Sequence, residues 1–307
     1  MELLGIVNES DAEILSVLQK FKENHLTTRN FDVKLEEKKQ IWAGLFSVIR
    51  QKDSSVQFES LNCARLLSRD KSGLNEAVTE EIVGDLMRLG NIDIDQGVSG
   101  DYKVSLESLK VLSNLLQQSS VVQSYCTRNG FLSKLIQKMS SYTTSNKDDY
   151  ESKMFDFRLL FLFTALLPEQ REIARHNHDG VEKLLKVVRD ACQDPDLDEN
   201  TSLVMCEALK VIFNLTVNNK QEDTAEMINI ASTVRNLVRM KIDDFDVRMK
   251  VVSNSINVVT NMENKLDPIS ALLKSTDVPN PAEEDKHSHG VVVNVLDKFM
   301  DFLLHKY

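Results

Sequence analysis

The sequence predicts an all-α fold of helical repeats stacked into a superhelix (an α-solenoid). Three observations lead to this prediction: an internal repeat with a period near fifty residues, apolar residues at helical spacing within each repeat, and few residues of the kind that form tight turns. Ten glycines and five prolines in 307 residues are too few for the many turns of a β-sandwich or barrel.

The clearest repeat is a nine-residue helical phrase. Residues 107–115 read ESLKVLSNL and residues 207–215 read EALKVIFNL, and weaker copies occur near 60–67, 158–166 and 254–262. The anchor positions are separated by 48, 50, 50 and 47 residues, and they are Leu61, Leu109, Leu159, Leu209 and Ile256. A period of this length with helical spacing inside each unit is typical of armadillo and HEAT repeats with slightly long loops.

A second repeated phrase contains Gly130 and Gly180, which also lie fifty residues apart. We expect each glycine to end a short helix, because glycine adopts positive φ without a steric penalty. An amphipathic helix then follows at 131–142 or 181–192, and a long third helix at about 152–167 or 201–217. Three helices in this order form an armadillo repeat.

These phrases divide the chain into one armadillo-like solenoid. The predicted parts are leading helices at 1–50, repeats near 51–100, 101–142, 143–192, 193–240 and 241–275, a flexible loop at 276–289 and a terminal helix at 290–307. A solenoid normally finishes with a polar capping repeat, and none follows the last helix. The sequence is therefore expected to be the amino-terminal part of a longer chain.

Composition excludes several classes of function. The formal charge of −10 argues against nucleic-acid binding, and the apolar run at 159–167 is too short to cross a membrane. With no signal peptide, and with cysteines placed singly in apolar helical patterns, the chain is predicted to be cytoplasmic with reduced thiols. No nucleotide-binding, nucleophile or metal-ligand motif occurs, so no cofactor, metal or enzymatic activity is expected.

The aligned third helices place one residue of each repeat at equivalent positions, which in armadillo proteins face a concave groove. One such set contains Lys110 and Lys210, the next turn contains Asn114, Thr164, Asn214 and Asn261, and a neighbouring set contains Arg65, Phe163 and Phe213. Amide and cationic side chains suit a peptide with a carboxylate end. The alternatives are that the asparagines bridge neighbouring helices, that the phenylalanines belong to the core, and that the lysines are simply solvated.

Four motifs in sequence resemble the synembryn family, also called resistance to inhibitors of cholinesterase proteins. They are SLNCARLLSRD at 60–70, LESLKVLSNLL at 106–116, FDFRLLFLFTAL at 155–166 and LKVIFNLT at 209–216. The resemblance implies a cytosolic chaperone and guanine nucleotide exchange factor for G-protein α subunits (Gα), without covalent chemistry, whose groove takes the Gα carboxy-terminal helix. It further implies that Arg65 and Arg69 meet the carboxylate of that helix, beside Asn114, Phe163, Phe213 and Asn214.

The resemblance leaves other points open. A calcium-sensor protein is a second partner to consider, as is localisation at the cell cortex through Gα. The family's later repeats and acidic tail lie beyond Tyr307, so binding of Gα with weak or no nucleotide exchange is expected. The alternative function is a general armadillo adaptor for an extended peptide of another partner, which the absence of groove tryptophans weakens, since the only tryptophan is Trp42.

Overall fold

Every regular element in the described part of the chain is helical. The structure, a computed structural model, describes residues 3–93, 100–140, 142, 149–176, 179–192, 199–217, 224–238, 250–255 and 257–258. The loop predicted at 276–289, the helix predicted at 290–307 and the candidate Asn261 lie outside these residues.

After a short 3-10 turn at Ile6–Asn8, the chain forms a succession of α-helices. They are α1 (Asp11–His25), α2 (Leu35–Gln51), α3 (Ser54–Leu67), α4 (Leu74–Ala77), α5 (Glu80–Leu89), α6 (Tyr102–Gln118), α7 (Ser120–Arg128), α8 (Phe131–Ser140), α9 (Tyr150–Leu166), α10 (Pro168–His176), α11 (Gly180–Cys192), α12 (Glu199–Thr216) and α13 (Thr224–Val238). The helices α8, α9, α11 and α12 agree with the predicted second and third helices of the repeats to within two residues at each end.

Polar side chains fix where several of these helices begin. Asp53 accepts hydrogen bonds from the first backbone N–H groups of α3, and Asp101 does the same for α6. Thr79 and Ser119 each accept one such bond at the starts of α5 and α7. These caps satisfy donors that the helices themselves leave unpaired.

The described chain divides into two compact units. Unit 1 comprises Met1–Met139 and Glu151–Gln170, and unit 2 comprises Ser140–Tyr150 and Arg171–Tyr307. In unit 1, α3 packs against α1, α2 and α6, and α5 packs against α6. In unit 2, α11 packs against both α12 and α13. Burial of the apolar faces of these helices is the main source of stability.

Two buried ion pairs help to hold unit 1 together. The Lys138 ammonium lies 2.8 Å from the fully buried Asp156 carboxylate and also donates to the Gly90 carbonyl, which joins α8 and α9 to the end of α5. Lys38 on α2 lies 2.7 Å from Asp70, in the turn after α3. A buried charge that keeps its partner is tolerated, whereas one that loses its partner is costly.

The two repeated glycines occupy equivalent places but do different things. Gly130 has φ of 67° between α7 and α8, as predicted for a helix stop. At the second place Asp179 takes the positive φ, of 50°, and Gly180 is the first residue of α11. A Cβ at Gly180 would lie 2.5 Å from the Ala174 carbonyl oxygen. The prediction of a left-handed Gly180 was therefore wrong, and close backbone approach explains the glycine there.

The thiols whose side chains the structure describes are buried in helix packing. Burial raises the pKa of Cys63 and Cys126 to about 12 and that of Cys206 to about 11. All three are free thiols, in agreement with the prediction of unpaired cysteines in apolar helical patterns. At neutral pH they are protonated and poorly nucleophilic.

Candidate functional site

An open groove with a volume of about 650 Å³ runs along unit 1 where α3, α6 and α9 come together. Its lining is polar and strongly basic, with six cationic side chains and no carboxylate. The residues that line it are Arg29, Arg65, Arg69, Lys71, Lys110, Ser113, Asn114, Gln117, Gln118, Phe155 and Arg158. A basic groove in a chain of net charge −10 concentrates positive potential at one place on an acidic molecule.

Two arginines at the end of α3 are held in place by other parts of unit 1. The Arg65 guanidinium donates to Glu107 at 2.8 Å and to Asn62 at 3.1 Å. Arg69 lies in the turn just after α3 and donates to the Leu26 carbonyl at 2.8 Å. Burial, together with the positive charges of Arg65 and Arg29, lowers the pKa of Arg69. The guanidinium still carries its charge at neutral pH, so these arginines are crowded cations.

Glu107 is a buried carboxylate beneath the groove that orients two of its cations. One oxygen accepts from Arg65, and the other accepts from Lys110, also at 2.8 Å. Only 7% of the Glu107 side chain is exposed, against 29% and 24% for the side chains of Arg65 and Lys110. The carboxylate therefore binds the Nε edge of the Arg65 guanidinium and the Lys110 ammonium itself, and both side chains stay partly exposed at the groove.

The Phe155 ring lies near Lys110 and one further cation, Arg158. The Lys110 ammonium is 5.8 Å and the Arg158 guanidinium 5.9 Å from the ring centroid. At these distances the electron-rich ring faces attract both charges. Phe155 thus limits the freedom of cations contributed by α6 and α9 and adds the one aromatic surface of the groove lining.

Two amides one helical turn apart on α6 both donate to the residue that ends α3. Asn114 donates to the Ser68 hydroxyl at 2.9 Å, and Gln118 donates to the Ser68 carbonyl at 2.8 Å. These two hydrogen bonds tie α6 to the end of α3. The Gln118 oxygen is buried and accepts no hydrogen bond from the described part of the chain.

The groove brings together four of the candidates predicted from sequence. Arg65, Arg69, Lys110 and Asn114 all line it. In the same unit the structure corrects the placement of two others. Phe163 is fully buried with its ring 5.0 Å from that of Phe131, edge to face, and Thr164 is fully buried with its hydroxyl donating to the Leu160 carbonyl. Phe155, near the start of the same helix, is only half-buried and lines the groove instead.

The remaining described candidates lie on α12 in unit 2. Lys210 is 2.5 Å from Glu207, which repeats the pairing of Lys110 with Glu107 one hundred residues earlier. Phe213 is half-buried, and Asn214 is buried, with 6% of its surface exposed. The structure therefore places Lys210 at the surface and Asn214 inside the helix packing of unit 2.

Several lining residues were not among the candidates predicted from sequence. Phe155 and Arg158 stand within the third synembryn motif, and Gln117 and Gln118 follow Asn114 by one turn, so helical spacing could have indicated them. Arg29 and Lys71 come from connections between helices, and no repeat pattern could have placed them.

Neither a metal site nor a membrane-spanning helix occurs among the residues that the structure describes. Within them, no group of three or more His, Cys, Asp or Glu side chains is arranged to hold a metal ion. In the same residues, no helix is long and apolar enough to cross a lipid bilayer.

Comparison with known proteins assigns the family. The family model described as "Guanine nucleotide exchange factor synembryn" (Ric8) matches residues 60–307. This chain belongs to the synembryn family. The match includes the four motifs that carried the resemblance, and all of the groove residues except Arg29 lie within it.

Curated members of the synembryn family match over most of the chain. The rat protein named Chaperone Ric-8B is 27% identical over 293 residues, which cover 88% of this chain and 55% of the relative. The protein named Chaperone Ric-8 of Drosophila pseudoobscura is 25% identical over 301 residues, covering 88% and 52%. Chicken Chaperone Ric-8A is 27% identical over 333 residues, covering 99% and 60%. The chain spans about half the length of the curated relatives it matches.

Solved structures confirm the armadillo-like fold predicted from the repeats. A designed armadillo repeat protein in complex with the peptide (KR)4 matches with a TM-score of 0.59 and 12% identity, covering 82% of this chain and 96% of that one. An engineered protein matches with a TM-score of 0.59 and 17% identity, covering 86% and 96%. At these identities the likeness concerns the fold alone. The synembryn chain is therefore an all-α helical-repeat protein.

Proposed function

We propose that this chain binds Gα subunits of heterotrimeric G proteins as a chaperone and guanine nucleotide exchange factor, through the carboxy-terminal helix of Gα. The proposal rests on membership of a family described as exchange factors, with relatives named chaperones. The basic groove of unit 1 is chosen as the site because six cations and no carboxylate line it.

The chemistry of the groove fits the end of a polypeptide chain. Arginine forks bind a carboxylate through two parallel charge-assisted hydrogen bonds, and Arg65 and Arg69 stand together at the end of α3. Asn114, whose amide nitrogen donates to Ser68, lines the groove, and its amide oxygen is an acceptor suited to a backbone N–H group of a bound segment. A bound Gα tail would no longer pack against its own domain, which would favour release of GDP and stabilise the nucleotide-free state.

A titration with a fluorescent peptide of the Gα carboxy-terminal helix tests the site. We expect Arg69→Gln to weaken binding by about tenfold, because a hydrogen bond to a charged group contributes about 1.5–3 kcal/mol. Asn114→Ala should weaken binding less. Arg128→Gln is the matched control, since Arg128 is 59% exposed on α7, outside the groove. Equal affinities for wild type, Arg69→Gln and Asn114→Ala would refute the proposed site.

A general adaptor for extended peptides is the second candidate, and the Asn114 amide in the groove lining favours it because any extended backbone could donate to its oxygen. A peptide with the same composition in scrambled order, and one with an amidated carboxyl terminus, separate the candidates. If the groove binds the Gα tail, both the scrambled and the amidated peptide should bind more weakly than the native peptide. An adaptor that contacts only the peptide backbone would bind all three peptides equally.

A further inference from the structure

We propose that the basic groove of unit 1 is also a binding site for a small ligand with several phosphate groups, of the inositol polyphosphate class. This inference goes beyond the proposed function, because it concerns a ligand other than a protein segment and can be tested without any peptide. The same chemistry occurs in soluble inositol phosphates and in phosphoinositide headgroups, so both sources are considered in the experiment.

Several positive charges of the groove have no carboxylate of their own in the described part of the chain. Arg65 and Lys110 share the single carboxylate of Glu107. Arg29, Lys71 and Arg158 form no ion pair with a carboxylate in the described part of the chain. The Arg158 guanidinium lies near the Phe155 ring instead. One peptide carboxylate would neutralise one of these charges, whereas a polyphosphate would neutralise several.

The cations of the groove are close enough to act together on one ligand. Arg29 comes from the connection between α1 and α2, whereas Arg65 and Arg69 lie one turn apart at the end of α3, yet all three line one groove. Burial, and then the charges of Arg65 and Arg29, lower the pKa of Arg69. Cations brought this close repel each other until an anion is bound. Guanidinium groups match phosphate oxygens through planar, two-pronged hydrogen bonding.

The groove is also of suitable size, and several of its cations are already held in place. Arg65 is held by Glu107 and Asn62, Arg69 by the Leu26 carbonyl, and Lys110 by Glu107, so binding requires little further ordering of these side chains. A volume of about 650 Å³ falls in the range of small-molecule sites. The polar Gln117 side chain is exposed at the same surface and can bond to ring hydroxyls.

Calorimetric titration of the full chain with inositol hexakisphosphate, with inorganic phosphate for comparison, tests the proposal. We expect one hexakisphosphate bound per chain, much more tightly than inorganic phosphate. The variant Arg29→Gln/Arg158→Gln should lose about tenfold or more in affinity, since it removes two charged hydrogen-bond donors. Both residues are exposed and lack ion pairs among the described residues, so the variant should fold normally, which circular dichroism and thermal unfolding would verify.

Arg128→Gln, which removes an exposed guanidinium outside the groove, is the control and should bind hexakisphosphate as the wild type does. Sedimentation with phosphatidylcholine vesicles, with and without phosphatidylinositol bisphosphate, identifies the source. If the chain binds hexakisphosphate and also sediments with the vesicles that contain the bisphosphate lipid, but not with those that lack it, the ligand is a lipid headgroup. If it binds hexakisphosphate and sediments with neither kind of vesicle, the ligand is a soluble inositol phosphate. Equal affinity for hexakisphosphate and inorganic phosphate, or equal losses in the groove and control variants, would overturn the proposal.

The peptide titration and the phosphate titration test the two proposals independently. If the Gα peptide does not bind but hexakisphosphate does, only the proposed function is refuted. If both bind, they should compete, because both need Arg65 and Arg69.

Discussion

Phe155 and Phe163 stand eight residues apart on α9 and show how one helix serves both groove and core. The Phe155 ring is half-buried near two cations, whereas the Phe163 ring is fully buried against Phe131. Both belong to the motif that suggested the family, but the repeat alignment selected only Phe163. Burial separates a residue that lines the groove from one that packs in the core.

The two phenylalanines should respond differently to truncation. We expect Phe163→Ala to lower the free energy of unfolding by about 3–5 kcal/mol, because it leaves a cavity in the core. Phe155→Ala should cost much less stability but weaken binding of the Gα peptide, since Lys110 and Arg158 lose the ring that restrains them. Urea unfolding and peptide titration of both variants measure the two effects. A larger loss of stability for Phe155→Ala would contradict the assignment.

At the scale of elements, the Lys38–Asp70 pair connects the two chain segments that carry cations to the groove. One Asp70 oxygen accepts from the Lys38 ammonium and from the Phe31 backbone N–H, and the other accepts from the Ser72 backbone N–H. Lys38 also donates to both oxygens of Ser72. Phe31 lies two residues after Arg29, and Asp70 lies between Arg69 and Lys71, so this cluster fixes the edge of the groove.

This cluster predicts an acid-dependent stability. Burial alone would raise the pKa of Asp70, but hydrogen bonds from Lys38, Phe31 and Ser72 outweigh it, and the pKa lies below the ordinary value of 3.8. A lowered pKa in the folded state gives stability that is present above pH 3.8 and is lost as the pH falls through the folded value. Asp70→Asn should therefore reduce the loss of stability below about pH 4.

Asp70→Asn should also lower stability at neutral pH by about 3 kcal/mol, because the Lys38 charge loses its buried partner. Asp11→Asn is the matched control, since Asp11 is 52% exposed and pairs with Lys52 at the surface, where the expected cost is about 1 kcal/mol or less. Urea unfolding between pH 2.5 and pH 7, values set about the ordinary carboxyl range, measures both effects. Equal losses of unfolding free energy in the two variants would show that the buried Lys38–Asp70 pair stabilises the fold no more than a surface pair does.

The elements were more predictable from sequence than the site was. The period near fifty residues and the apolar spacing placed α8, α9, α11 and α12 correctly, because helices in a repeat protein pack mainly on their neighbours. The same alignment predicted Arg65, Lys110 and Asn114 in the groove but also selected Phe163, which is buried. Helical spacing gives a face, and side-chain burial depends on the rotation of each helix, which the sequence does not specify.

Residues on connections could not be placed in this way. Arg29 reaches the groove from the segment between α1 and α2, and its position depends on contacts distant in sequence, such as that of Phe31 with Asp70. The positive φ predicted for Gly180 is found at Asp179 instead. Sequence could not indicate this, because the close approach of Gly180 to the Ala174 carbonyl depends on how the helices pack.

At the scale of the whole molecule, charge is distributed unevenly. The chain carries 47 acidic and 37 basic residues, yet six cations and no carboxylate line the groove of unit 1. A segment with a negative charge is therefore attracted to this groove in spite of the acidic net charge, and the attraction should weaken as salt screens it. The central claim is that this groove receives the carboxy-terminal helix of Gα.

Complex formation between the full chain and purified Gα tests that claim most directly. Size-exclusion chromatography would compare intact Gα with Gα lacking its carboxy-terminal helix, using wild-type chain, Arg65→Gln/Arg69→Gln and the Arg128→Gln control. We expect a stable complex only when intact Gα meets the wild-type or control chain. A complex that forms equally well with the truncated Gα, or with the Arg65→Gln/Arg69→Gln chain, would contradict the account.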